Sequence, residues 1–236
     1  MVYLEKSQPA PACLAVERTK ANGDYKCGDV VKRLDEDFKS KCYLCEYKGP
    51  TTLNVEHLNP HGGDKDRKFD WNNLFLACGH CNNTKGAGYE GLLNCTDEKD
   101  RVDADIRYRF EAFPSPRVEI ELVEDNHRTR TTRDLLLAVY NGTTKQKKLE
   151  ATYIRDALGD EMARFYESLA RYDSTEGDGE KDLLTKEIRE HLDSASAFTA
   201  FKRWAVRGDE RFKAAFRAYY PSFSGPSLST RRSPRW

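Results

Sequence analysis

The chain has no net charge. Its 236 residues carry 39 Lys and Arg against 39 Asp and Glu, so it cannot coat nucleic acid by bulk attraction, although a local basic patch stays open. No apolar run approaches the roughly 18 residues of a membrane-spanning helix. Residues 1–15 lack the basic start and unbroken apolar core of a signal peptide, being interrupted by Lys6, Gln8, Pro9 and Pro11. There is no internal repeat. There is also no Walker A sequence, since Gly177-Asp178-Gly179 lacks the following Lys-Ser/Thr. Apolar residues are scarce at 38% and charged ones abundant at 33%, against about 45–50% (with Gly) and 25% in typical domains. Aromatics at 11%, 12 of them Tyr, still suffice for a core and exclude wholesale disorder. The length suits one large domain or two small ones.

What is present is a set of 7 cysteines. With no export signal they are expected to be reduced, in the cytoplasm, where clustered cysteines act as metal ligands. Cys42-Tyr-Leu-Cys45 and Cys78-Gly-His-Cys81 each place two thiolates on one tight turn. Together they complete a tetrahedral S₄ shell for a structural Zn²⁺. Cys13, Cys27 and Cys95 have no such partners and read as small apolar residues.

Residues 1–28 read as an irregular arm, after which Asp29 is expected to cap a helix over 30–38. Between and around the cysteine pairs, a short alternating strand is expected at 52–56, and an apolar run covers 74–77. Two further strands, at 107–113 and 118–123, flank Pro114-Ser115-Pro116. Beyond 125 the pattern turns helical. Thr132 caps a helix to 140, ended by Asn141-Gly142, and helices follow over 145–158, 160–172, 183–193, 195–206 and 210–219, with a loop at 173–182. The expected class is α+β, with a zinc-stapled core at 41–88 inside an N-terminal unit of residues 1–125. A mostly helical docking region covers 126–220, and a flexible basic tail covers 221–236. Leu135, Leu136, Leu137, Val139 and Tyr140 form an apolar strip larger than one small helix would bury, which points to association. From residue 202 onward 9 Lys/Arg face 2 Asp/Glu. Arg203, Trp204 and Arg207 are therefore candidates for tracking a phosphate backbone.

The insert between the cysteine pairs reads Leu53-Asn-Val-Glu56-His57-Leu-Asn-Pro60, then Trp71-Asn-Asn73-Leu74, then Cys81-Asn82-Asn-Thr-Lys85-Gly86. This order of C-x-x-C, Glu-His, Asn-Leu and C-x-x-C-Asn-x-x-Lys-Gly resembles the HNH, or ββα-metal, nucleases. The resemblance implies a metal-dependent endonuclease that hydrolyses phosphodiesters of DNA or RNA, leaving 5′-phosphate and 3′-hydroxyl ends. It implies His57 as general base, since a neutral imidazole accepts a proton from water near pH 7. Glu56 and Asn82 would hold the catalytic ion, and Asn73 would orient the base loop. Lys85, on the helical face of Asn82, and His61, just past the base, would bind substrate. Glu56 stands where many relatives have Asp, and its extra methylene suits ligation through water. Asn82 replaces a common His, which shifts the expected ion from transition metals to Mg²⁺ or Mn²⁺. His80, inside the second knuckle, is expected to be exposed, since the four cysteines leave it no zinc to bind; His127 and His191 carry no constellation.

The segments Tyr25-Lys-Cys-Gly-Asp-Val30, Lys41-Cys-Tyr-Leu-Cys-Glu46, Glu56-His-Leu-Asn-Pro-His61 and Tyr140-Asn-Gly-Thr143 further resemble the HNH subunit of Septu-type and retron-associated anti-phage systems. That likeness implies an ABC/SMC-like ATPase partner, a retron reverse transcriptase with its nucleic acid, and the role of a toxic effector. A reading from another class is a non-catalytic zinc-binding adaptor for nucleic acid, which would need none of Glu56, His57 and Asn82.

Overall fold

A computed structural model describes residues 1–219; the tail expected at 221–236 lies outside the described residues. Strand β1 (Leu53–His57) pairs antiparallel with β2 (Leu74–Cys78), with Leu53 opposite Cys78 and His57 opposite Leu74. Every residue of β2 is buried, so it reads as an unbroken apolar run rather than an alternation. Phe75 lies edge-on to Phe38 and against Tyr43, at ring distances of 5.5 and 5.0 Å. Cys78 ends β2 and also caps α4 (Gly79–Lys85), its sulfur accepting from the Cys81 N–H. The second ribbon pairs β3 (Ile106–Glu111) with β4 (Arg117–Leu122). Ile106, Tyr108, Val118 and Ile120 alternate inward, while Arg107 and Arg109 pair outside with Glu121 and Glu119.

The N-terminal residues are not a loose arm. Met1, Val2 and Leu4 are buried, and the Met1 amine donates to the Tyr108 hydroxyl at 2.7 Å. Helix α1 (Ala12–Thr19) precedes α2 (Gly28–Asp37). The α2 N-cap is Cys27 rather than Asp29, which sits in the first turn and faces the positive helix end. Cys13 and Cys27 form a disulfide, which corrects their reading as reduced apolar residues. Cys95 is a buried free thiol, pushed up to about 12 by burial.

Helix α3 is a single turn, Lys65–Lys68. Helix α5 (His127–Asn141) begins five residues before the expected cap, because Asn126 and Thr129 close a reciprocal capping box. Thr132 is instead buried inside the helix, and its hydroxyl accepts from the Leu93 N–H at 2.9 Å. The two helices expected over 145–172 are one 30-residue helix, α6 (Lys145–Ser174). Gly159, which reads as a break, is a packing point where an added Cβ would touch the Phe110 ring at 3.5 Å. The loop expected at 173–182 shrinks accordingly, with α7 spanning Asp178–Leu192. Helices α8 (Thr199–Arg207) and α9 (Glu210–Lys213) complete the described chain, with a closing turn at Arg217–Tyr219.

The division expected at 125/126 runs through a shared core. α5 packs on β4 and α8 on β3, and one continuous apolar cluster joins both halves. Leu135, Leu136, Val139 and Tyr140 are fully buried in it, so the strip read as an association surface is spent internally. Arg203 and Arg207 are likewise taken inward: Arg203 pairs with Asp103 at 2.9 Å and Arg207 donates to the Asp103 carbonyl at 2.8 Å. Trp204 donates to the Ile106 carbonyl at 2.9 Å, so this cluster anchors α8 to β3 instead of facing a nucleic-acid backbone.

Candidate active site and metal centre

The cysteine pairs meet as their spacing predicts. The sulfurs of Cys42, Cys45, Cys78 and Cys81 are buried and lie within 4.8 Å of one another. Those of Cys45 and Cys78 are 3.9 Å apart. Zn–S bonds of about 2.3 Å put tetrahedral sulfurs about 3.8 Å apart, so the cluster fits structural zinc without rebuilding. Burial pushes the Cys45 and Cys81 thiols up, whereas hydrogen bonds from Cys42, Cys45 and Cys81 hold Cys78 low.

Both knuckles are tied to the helical half. The Tyr140 hydroxyl donates to the Cys45 carbonyl at 2.8 Å. Glu46 accepts from the Ala200 N–H at 2.9 Å. His80 places its ring nitrogens 2.7 Å from Glu150 and 2.8 Å from the Val139 carbonyl. It is thus a clasp between α4, α5 and α6, a role that no local pattern signals.

Alternation along β1 sends Glu56 and His57 to opposite sides of the ribbon. Glu56 is buried, and its carboxyl is pushed up to about 7 by burial, with Lys85 opposing the rise. Its Oε2 lies 3.6 Å from Lys85 Nζ, while Oε1 has no hydrogen-bond partner. The Tyr43 hydroxyl lies beside it and, by hydrogen bonding toward the carboxylate, also opposes the rise. A buried carboxylate oxygen left without a donor is a hard ligand, suited to a divalent cation. Asn82 stands half-exposed on α4, which packs against β1 and β2, and its side-chain amide makes no hydrogen bond among the described residues. Lys85, one turn further on, is only 3% exposed, and its ammonium donates to the His57 carbonyl at 2.8 Å. It is committed to the interior and presents nothing to solvent.

His57 is 8% exposed. Its Nε2 lies 3.0 Å from the Lys68 carbonyl. A carbonyl only accepts, so Nε2 carries the proton and Nδ1 keeps its lone pair. Burial lowers the imidazole pKa from its ordinary value near 6.5, so the neutral form is favoured at neutral pH. Asn73 uses its whole amide on the loop that follows: Oδ1 accepts from the Asn59 N–H at 2.8 Å, and Nδ2 donates to the Asn59 and Arg67 carbonyls at 2.9 and 3.2 Å. Gly62 and Gly63, both at positive φ, let that loop reverse. His61 is placed by the same turn, its Nδ1 accepting from the Gly63 N–H at 3.2 Å and its ring 4.8 Å from that of His57.

A β-strand carrying a Glu-His pair, an asparagine-braced loop, a second strand and a cysteine-capped helix therefore surround one imidazole with a free nitrogen. The comparison with known families reads the same segment. Residues 42–88 are an HNH endonuclease domain. The match supports nuclease activity for that segment. No curated protein matches the chain. Among the described residues no helix is long and apolar enough to cross a membrane. Two site features escape sequence reading: the Lys68 carbonyl, because any residue offers one, and Tyr25, which lies outside the HNH segment and shares no spacing with it.

Proposed function

We propose that this HNH domain is catalytically competent, with His57 as general base acting through Nδ1. The observation that carries this reading is the tautomer set by the Lys68 carbonyl, which leaves Nδ1 unprotonated and able to take a proton from water. Asn73 keeps the Lys68 segment in place through the Arg67 and Asn59 carbonyls, and so holds the base in its working direction. Glu56 and Asn82 hold Mg²⁺ or Mn²⁺, Glu56 through its unpaired Oε1. When bound, that cation neutralises charge developing on the phosphoryl and leaving oxygens. Lys85 aligns Glu56 and the His57 backbone from inside, and half-buried His61, beside the His57 ring, is the residue that meets the phosphate.

The resemblance of the flanking segments to anti-phage HNH subunits supports a defence role in the cytoplasm under an ATPase partner, with a reverse transcriptase in retron-linked forms. The Cys13–Cys27 disulfide is the one feature that does not follow from that compartment.

The test is cleavage of plasmid DNA and of total RNA by wild type and His57→Ala, over a series of divalent ions. Removing the base should cost about 10²–10⁴-fold in rate while zinc content and nucleic-acid binding persist. A folded His57→Ala protein that cuts at the wild-type rate would refute His57 as the base, whereas wild type that binds nucleic acid but cuts it with none of the ions would return the chain to the adaptor reading.

A further inference from the structure

The HNH segment begins at residue 42, yet a residue outside it touches the base. Tyr25, in the turn between α1 and α2, packs edge-on against the His57 ring, with centroids 4.6 Å apart and planes inclined by 61°. The Lys68 carbonyl fixes one nitrogen of that imidazole but not the tilt of its plane. Tyr25 and His61 are the two rings that limit the tilt.

The turn is built to stand there. Gly23 is buried so close under α1 that a Cβ would run into the Glu17 carbonyl and press on Phe69. The Asp24 N–H donates to the Glu17 carboxylate at 2.9 Å, and the Lys26 N–H donates to Asp24 at 2.9 Å. Lys68 Nζ donates to the Gly23 carbonyl at 2.8 Å and lies 5.9 Å from the Tyr25 ring centroid. Lys68 thus grips the turn with its ammonium and the base with its carbonyl. Arg18 pairs with Asp66, and the Cys13–Cys27 disulfide closes the chain around the turn. These contacts join the N-terminal turn to the base loop as one body.

We propose that Tyr25 is a positioning residue for phosphodiester cleavage: the turn between α1 and α2 walls the His57 imidazole, so that Nδ1 keeps the direction in which it takes the proton of the attacking water. This rests on the reading of His57 as the base. Small angular errors at a proton-transfer site are costly, with misplacement by about 1 Å worth up to about 10²-fold. Tyr25→Ala should therefore lower kcat by about 10–100-fold with little change in KM. Tyr25→Phe, which keeps the ring and removes only the hydroxyl, should restore most of the loss. Gly23→Ala, which displaces the turn without altering the ring, should reproduce it.

The deciding measurement is a double-mutant cycle on the full chain, with zinc content and circular dichroism confirming the fold of each variant. Tyr25→Ala should cost nothing further in the His57→Ala background, because its effect passes through that imidazole. An equal fold-loss in both backgrounds, or full kcat in folded Tyr25→Ala, overturns the proposal. Wild-type activity in His57→Ala overturns the base assignment instead, so the two failures are told apart.

Discussion

Lys85→Met separates the interior role of this lysine from the surface role its spacing suggests. In the structure the ammonium satisfies the His57 carbonyl at 2.8 Å and faces Glu56 at 3.6 Å, with both side chains nearly excluded from solvent. Methionine fills the volume but removes donor and charge together. The orphaned carbonyl alone costs about 1–3 kcal/mol. Stranding an ionised buried partner costs about 3–5 kcal/mol.

The sign follows from Glu56, whose carboxyl already sits up at about 7 with Lys85 present. Removing the lysine raises it further. Below that range Glu56 is protonated in both proteins, and only the carbonyl cost remains. Above it, wild type ionises a paired Glu56 whereas the variant keeps it protonated or strands its charge. The stability gap should therefore widen from about 1–3 kcal/mol at pH 5 to about 3–5 kcal/mol at pH 8. Thermal unfolding followed by circular dichroism reads this directly, at roughly 2–4 °C per kcal/mol for a chain of this size. A wild-type Tm at both pH values, with only KM raised, would show that Lys85 faces substrate and refute the reasoning.

At saturating divalent ion, which keeps the Glu56 carboxylate ionised, cleavage by wild type should hold as pH falls to about 6.5 and decline only below it, because burial lowers the His57 pKa and keeps the ring neutral longer; a decline beginning above pH 7 under those conditions would contradict this. The His57 contribution to stability is lost in the same acid window, since the unfolded chain takes up the imidazole proton first, while the raised Glu56 carboxyl acts in the opposite sense, so far-UV circular dichroism must accompany the rate profile. Cys78→Ser, or strong chelation, should lower Tm as well as activity, because structural zinc adds on the order of 10 kcal/mol to folding; elemental analysis that finds no zinc in well-folded protein would sink this. Deleting residues 126–236 should leave a fragment that neither folds nor retains zinc. Each fully buried apolar side chain of α5 is worth about 1.5–3 kcal/mol, and four of them rival the whole stability of a domain, about 5–15 kcal/mol. A folded, zinc-bound fragment would restore the two-domain division.

The cysteine cluster and the HNH segment were legible in the sequence because their signals are local. The two C-x-x-C turns, Glu56-His57 and Asn73 lie in one continuous stretch, and strand alternation with helix spacing sets their relative faces. The α+β class and the second ribbon followed from the same periodicities, whereas β2, an unbroken apolar run, is recognised as a strand only by its pairing with β1. What the sequence left open depends on partners distant along the chain. Lys85 and Asn82 share a helical face, yet only the packing of α4 on β1 turns the lysine inward to the His57 carbonyl. Gly159 reads as a break because nothing local shows the Phe110 ring pressed against it. The apolar strip of α5 has the same composition whether it meets a partner protein or its own chain, and Tyr140 on the Cys45 carbonyl decides for the latter. Tyr25 and the Cys13–Cys27 disulfide belong to a segment without periodicity, placed on the base by hydrogen bonds to Lys68. Residue types and spacings determined which chemistry is available; the burial that sets charges, tautomer and orientation arises only when remote segments exclude water together.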